Sequence, residues 1–356
     1  MMSRRAPYKL GKLKYKHVTQ GIQLALLITL VSSFYFYTKL EVLPEGVKAV
    51  NILINAGIAL VVSFVIEVLF LRSRGRWVSF KDCYVKENPL MIPLLVVLLL
   101  PLHTPIYVIL IATGMAVWVG KLVYGGFGYS IFHPAIVGVL FAYLSFKDQL
   151  ATPEGFLYPV ERLKNSGALN QIALISQRPL FIGGAEYGIS VGAASGLVLV
   201  ILMILLAIPK IIDWRLSVTY LATIFGITYI IGGSYYAMEH LLSGLVLFAA
   251  LFLVTDPVTS PTSRETKIVF AVIVGLITVM IRVLGNNVEG VLFAVLLGNI
   301  FTPYINRTTR KSTTVSLVKA LVFALVVIVA GGFVIGFINA PEVVEVVELV
   351  KVGVMF

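Results

Sequence analysis

A succession of apolar runs, each bounded by Pro, Gly or charged residues, constrains this chain more than any other feature. They lie near 18–38, 48–71, 89–102, 105–124, 131–146, 190–208, 216–232, 236–254, 268–284, 289–302 and 314–338. A helix needs roughly 20 apolar residues to cross a bilayer, and most of these runs approach that length. Of 356 residues, 59% are apolar and only 13% are charged, about half the charged share of a soluble domain. Lipid is therefore the expected solvent. Backbone amides in lipid must be satisfied within the segment, so the runs predict helices and an all-α polytopic membrane protein. The third, fifth and tenth runs are short and flanked by Pro or Gly, which predicts half-helices or tilted spans and leaves a count of ten or eleven.

The formal net charge is +11, and its placement matters more than its size. Arg4, Arg5, Lys9, Lys12, Lys14 and Lys16 precede the first run, and Arg72, Arg74, Arg76, Lys81 and Lys86 follow the second. Lys210, Arg215, Arg264, Lys267, Arg307, Arg310 and Lys311 fall at later even-numbered turns, and Lys121 ends the fourth run on the same side. Cytoplasmic loops collect such charges, so the pattern predicts a cytoplasmic N-terminus in the inner membrane. Dispersal between apolar runs excludes a nucleic-acid stripe. Residues 147–189 and the acidic tail with Glu342, Glu345 and Glu348 are then external. The first run is too long, and lacks the small-residue site, for a cleaved signal peptide. Cys83 is the only cysteine, which excludes an internal disulfide and an iron–sulfur cluster built from this chain alone.

The sequence also repeats itself. Gly138–Val139–Leu140–Phe141–Ala142 recurs as Gly290–Val291–Leu292–Phe293–Ala294, and each copy ends the same progression. A proline pair comes first (Pro101 and Pro105; Pro257 and Pro261). A glycine seven residues before a base follows (Gly114 and Lys121; Gly275 and Arg282), then a glycine turn (Gly125–Gly126; Gly285). With five spans per half, an odd number, the second half is inverted relative to the first. The expected organisation is a basic N-terminus over 1–17, a first repeat over 18–146 and an external loop over 147–189. A second repeat over 190–305 and an additional span with an acidic tail over 306–356 complete it.

Three segments carry more polarity than apolar packing needs. In Lys121-Leu-Val-Tyr-Gly-Gly-Phe-Gly-Tyr-Ser-Ile-Phe-His-Pro-Ala135, Gly125, Gly126 and Gly128 either break a helix at membrane depth or form a turn at the membrane surface. The second joins His240-Leu-Leu-Ser-Gly244 to Phe252-Leu-Val-Thr-Asp-Pro-Val-Thr-Ser-Pro261, where Asp256 has a functional reading and a helix-cap reading. The third, Arg282-Val-Leu-Gly-Asn-Asn-Val-Glu-Gly290, lets Arg282 and Glu289 pair or snorkel; snorkelling is the default for Arg282 and Lys121. Glu67 lies inside the second run. An acid there marks a functional site, or pairs with a nearby arginine such as Arg72.

These segments, in this order, resemble the RnfD/NqrB family of integral-membrane flavin subunits from Rnf ferredoxin:NAD oxidoreductases and sodium-pumping NADH:quinone oxidoreductases. The matching positions are Lys121, Gly125, Gly126, Gly128, Phe132, Pro134 and Ala135; His240, Gly244, Thr255, Asp256, Thr259, Ser260 and Pro261; and Arg282, Glu289, Gly290, Phe293 and Asn299. The turn Asp213-Trp214-Arg215 and Glu67 before the basic loop are also similar to the family. The resemblance implies two inverted five-helix repeats like those of urea transporters, and electron passage through a flavin coupled to movement of Na+ or H+. It implies an ion pathway at Glu67, Arg282 and Glu289, and a flavin near Gly125, Gly126, Gly128, Asp256 and Thr259. The implied partners are an iron–sulfur protein, a periplasmic flavoprotein and the lipid bilayer.

The chain departs from the family where FMN would be joined to a threonine. Its Ser166-Gly167-Ala168-Leu169 ends in leucine, which has no oxygen to form a phosphoester. Covalent FMN at position 169 is chemically impossible, so the expected cofactor is riboflavin or FMN held non-covalently. The family's two asparagines of the glycine motif appear as Ser130 and His133. The alternative is a flavin-less scaffold acting as a channel, transporter or membrane anchor.

Overall fold

The computed structural model describes residues 9–10, 13–39, 47–75, 84, 87–151, 190–284 and 290–309. Apart from a two-residue hairpin, β1 (Lys9–Leu10) against β2 (Leu13–Lys14), they are helical or form turns. The helices are α1 (Tyr15–Lys39), α2 (Val50–Ser73), α3 (Met91–Leu99), α4 (Ile106–Val117) and α5 (Pro134–Ser145). They continue as α6 (Gly196–Ala207), α7 (Trp214–Leu242), α8 (Val246–Phe248), α9 (Arg264–Leu284) and α10 (Gly290–Thr309). Among the described residues four stretches are long and apolar enough to cross a membrane: Lys16–Lys39, Val50–Ser73, Trp214–Ser234 and Arg264–Val283. A fifth counts if Tyr236–Leu242 and Val246–Leu253, bent by 61°, form one broken span. The chain is a multi-pass membrane protein.

Among the described residues, proline cuts several of the other runs short. Leu100 precedes Pro101 and is extended (φ −91°, ψ 154°), ending α3 after nine residues; the proline ring excludes the helical conformation from the residue before it. Pro105 is extended at the start of α4, and Pro134 opens α5, where its missing N–H costs nothing. The third and fifth runs are thus short helices, as expected, and so is α6, whereas the tenth extends through Thr309 as a 20-residue helix. The eleventh run, 314–338, lies outside the described residues.

The chain divides into two compact units. One contains α1 to α6 together with Asp256–Thr259; the other contains α7 to α10. In the first, α4 packs on α2 and α5, and α6 packs on α1. All nine residues of α3 are buried. Gly138 of α5 sits so close to α4 that a Cβ would lie 2.2 Å from the Ala112 carbonyl oxygen and 2.7 Å from Ala116 Cβ. Small residues permit such close helix approach where lipid supplies no hydrophobic drive. In the second unit α9 packs on α7 and α10. Gly290, the counterpart of Gly138 in the repeated pentapeptide, meets α9 in the same way, its would-be Cβ 2.5 Å from Ile281 Cγ2. Gly233 (φ 79°, ψ −171°) kinks α7.

Candidate functional site: buried bases at two helix breaks

In the first unit α4 ends in a π-helical turn, Trp118–Leu122. Its inserted residue moves the following side chains out of α-helical register, a device frequent at functional sites. Lys121 points inward and is fully buried. Its Nζ donates to Glu67 Oε1 at 2.6 Å and to the Glu87 carbonyl oxygen at 2.6 Å, and lies 3.4 Å from Glu87 Oε2. The Phe127 ring centroid stands 5.7 Å from the same nitrogen, within reach of a cation–π attraction.

Glu87 is held from the other side by the glycine turn. Its Oε2 accepts the Phe127 N–H at 3.0 Å, and a Cβ on Gly126 would come within 3.0 Å of both its carboxylate oxygens. Gly125, Gly126 and Gly128 have φ of 113°, 107° and 88°, values costly for a residue with a Cβ. The turn therefore needs glycine twice over, for its backbone and for the carboxylate lodged against it. Ser63 Oγ lies 3.5 Å from Glu67 Oε1 but 3.2 Å from the Pro89 carbonyl. Its single proton is better spent on the carbonyl. Glu67 Oε2 has no hydrogen-bond partner among the described residues. Separating a buried ion pair by removing one partner costs about 3–5 kcal/mol, so this cluster fixes the unit's interior.

The second unit repeats the device with arginine. Arg282, 3% exposed, donates to the carbonyl oxygens of His240 (2.7 Å) and Ser243 (3.2 Å) and to Ser243 Oγ (2.8 Å). In both units the base reaches the carbonyl immediately before a left-handed residue at a helix break. Glu87 precedes Asn88 (φ 49°), and Ser243 precedes Gly244 (φ 66°). A break leaves carbonyls without amide partners, and a cation there also complements the negative end of the helix dipole. The Tyr236 and His240 rings meet edge-on with centroids 4.5 Å apart.

The structure brings some predicted residues together and separates others. Glu67 is buried and ion-paired, but its partner is Lys121 and not Arg72. Neither Lys121 nor Arg282 snorkels, because unsatisfied carbonyls and a carboxylate inside the unit outcompete the distant interface. Asp256 Oδ2 accepts the Thr259 N–H (3.0 Å) and Thr259 Oγ1–H (2.8 Å), closing a turn; the next helix starts only at Arg264, so Asp256 is not the helix cap anticipated for it. Those two belong to the same unit as Gly125, Gly126 and Gly128. His133, 1% exposed, interacts electrostatically with Asp256, and its Nδ1 has no hydrogen-bond partner. Glu289, Ser166, Gly167 and Leu169 lie outside the described residues. Glu87 is a site residue that the sequence motifs do not single out; the available signal is an acid beside Asn88-Pro89, directly before an apolar run. No group of three or more His, Cys, Asp or Glu among the described residues is placed to hold a metal ion.

Two kinds of comparison bear on the chain's family. Residues 2–315 match the model of the NQR2, RnfD, RnfE family. A protein of Actinobacillus succinogenes, named as the D subunit of an ion-translocating oxidoreductase complex, is 29% identical over 310 aligned residues, covering 73% of this chain and 85% of the relative. Proteins of the same name from Yersinia enterocolitica (29% over 309 residues; 72% and 85% covered) and Haemophilus influenzae strain PittEE (27% over 349 residues; 82% and 93% covered) are similar. With the family model covering most of its length and the motif bases Lys121 and Arg282 buried at corresponding helix breaks, this chain belongs to the NQR2, RnfD, RnfE family.

Proposed function

We propose that this chain is the membrane-embedded D subunit of an Rnf-like electron transport complex, carrying electrons across a flavin in step with Na+ or H+ translocation. The observation that carries the reading is the fully buried Glu67–Lys121 pair with Glu87 inside apolar helices. Ionisable groups at such depth are costly and are kept where ions or protons move. The relatives, too, are named for the D subunit of ion-translocating oxidoreductase complexes. Two five-helix repeats of opposite orientation, with the N-terminus in the cytoplasm and the chain in the inner membrane, are proposed on the placement of Lys and Arg between the apolar runs. An iron–sulfur protein and a periplasmic flavoprotein are the proposed neighbours.

Any flavin bound by this chain is proposed to be held without a covalent bond. Leu169 offers no attachment oxygen. Gly126, Asp256 Oδ2 and Thr259 are occupied by protein contacts. His133 Nδ1 is a buried polar atom of this unit without a hydrogen-bond partner, and it is the contact proposed for a ring heteroatom. When bound, a flavin supplies reversible one- and two-electron chemistry, and the protein's share is to position and desolvate it. The visible spectrum of the purified protein tests this. A flavin absorbance that stays in the supernatant after acid precipitation is expected, and a yellow pellet would place a covalent bond elsewhere. A colourless protein with intact helical content would refute the cofactor and leave the scaffold as a channel, transporter or anchor, the reading that Leu169 favours.

A further inference from the structure

We infer that the groove between α1 and α6 holds one acyl chain of an anionic phospholipid, whose phosphate pairs with Lys39. This is independent of the electron-transport reading. Both helices belong to one unit. The groove has a volume of about 520 Å³ and is lined from α1 by Leu27, Ile28, Val31 and Phe36, and from α6 by Val198. Its stretch from Leu27 to Phe36 runs about 13.5 Å at the helical rise. One leaflet of a bilayer is roughly 15 Å deep, so the groove has the length of a lipid tail.

The two ends of the groove differ in chemistry. Tyr35 lines one end, and Lys39 stands one turn beyond it with Nζ 5.9 Å from the Tyr35 ring centroid. Lys39 is the last residue of α1, a membrane-crossing helix, and is exposed, so it lies at headgroup level, where aromatic and basic residues anchor. An ammonium there complements a phosphate while the apolar walls take the tail. A zwitterionic lipid carries its own cation beside the phosphate, so a net negative headgroup is the better match. A protein helix fits this groove poorly. Helices associate in lipid through small residues that let backbones approach, or through polar side chains that bond across. Here the walls are bulky, and the one small lining residue, Ser32, already donates its hydroxyl proton to the Thr29 carbonyl at 2.9 Å. A flexible hydrocarbon chain can follow such a surface without any backbone approach.

The test titrates the full chain, delipidated in detergent, with phosphatidylglycerol or phosphatidylcholine of equal chain length and counts bound lipid by native mass spectrometry. One phosphatidylglycerol is expected to bind about fivefold more tightly than phosphatidylcholine, the preference that one lysine near a membrane surface confers. Lys39→Gln should remove that preference while the tail still binds. Val31→Trp fills the groove and should lose the lipid. Val61→Trp, on α2 and equally exposed (64% against 63%), should keep it. All three positions are exposed, so each variant is expected to unfold at the wild-type temperature. Equal loss in the two tryptophan variants, or loss in neither, would mean an unspecific lipid annulus and overturn the inference. So would a preference for phosphatidylglycerol that survives Lys39→Gln. A photo-reactive leucine at position 27 should join lipid. A cross-link to a second copy or to residues 314–338 would seat a protein helix in the groove and refute the lipid.

Discussion

Replacing Gly138 by alanine isolates the contact that seats α5 on α4 and so sets where the glycine turn and His133 lie. An ideal Cβ at this position falls 2.2 Å from the Ala112 carbonyl oxygen, 2.7 Å from Ala116 Cβ and 2.8 Å from the Ala116 nitrogen. Two of these three atoms are helix backbone, which no rotamer change can move. Relief requires the helices to separate, and overpacking of this kind costs about 1–3 kcal/mol, with backbone obstruction pointing to the upper end. Higher helix propensity returns about 1 kcal/mol, so a net loss of about 1–2 kcal/mol is expected. Gly57 in α2 is the control, for it is exposed and a Cβ there meets nothing within 4 Å. Gly57→Ala keeps the propensity gain alone and should stabilise by about 0.5–1 kcal/mol. Reversible denaturant unfolding of the full chain in detergent micelles measures both. If Gly138→Ala proved as stable as wild type, the close approach of α4 and α5 would not be a determinant of this unit.

Two further perturbations probe the second unit and the repeat. Arg282→Met removes a buried cation bonded to two carbonyls and a hydroxyl; charge-assisted bonds contribute about 1.5–3 kcal/mol each, so a loss of at least about 3 kcal/mol is expected. Arg282→Lys should recover only part of it, because a point charge cannot match the guanidinium fork; full recovery would show that charge alone matters. In a Cys83→Ser background, cysteines at Ile106 and Thr262, both exposed and each next to one proline pair, should react with an impermeant thiol reagent from opposite sides of the membrane. Labelling from the same side would refute the inverted arrangement.

Several features of the fold are legible in the residues because their causes are local. Pro101, Pro105 and Pro134 set helix boundaries through their own ring sterics, and the breaks fall beside them. The Asp256–Thr259 turn is likewise a contact across three residues. Lys121 and Arg282 are legible as a repeated pair but not in their behaviour. A base at the end of an apolar run reads as snorkelling, and only a carbonyl or carboxylate brought in from another helix reverses that preference. Glu87 is illegible for the same reason, since its partners Lys121 and Phe127 lie 34 and 40 residues away.

The sequence by itself determined a helical membrane protein of this family, the duplicated order of prolines, glycines and bases, and the absence of an attachment oxygen at Leu169. Each of these is a property of residue type or of spacing along one segment. Tertiary structure alone decided that Glu67 pairs with Lys121, that Glu87 lodges against a glycine turn, and that two bases hold the carbonyls of broken helices. Those are long-range contacts, and in a low-dielectric interior the strength of such an interaction depends on the positions of partners that the local sequence does not encode.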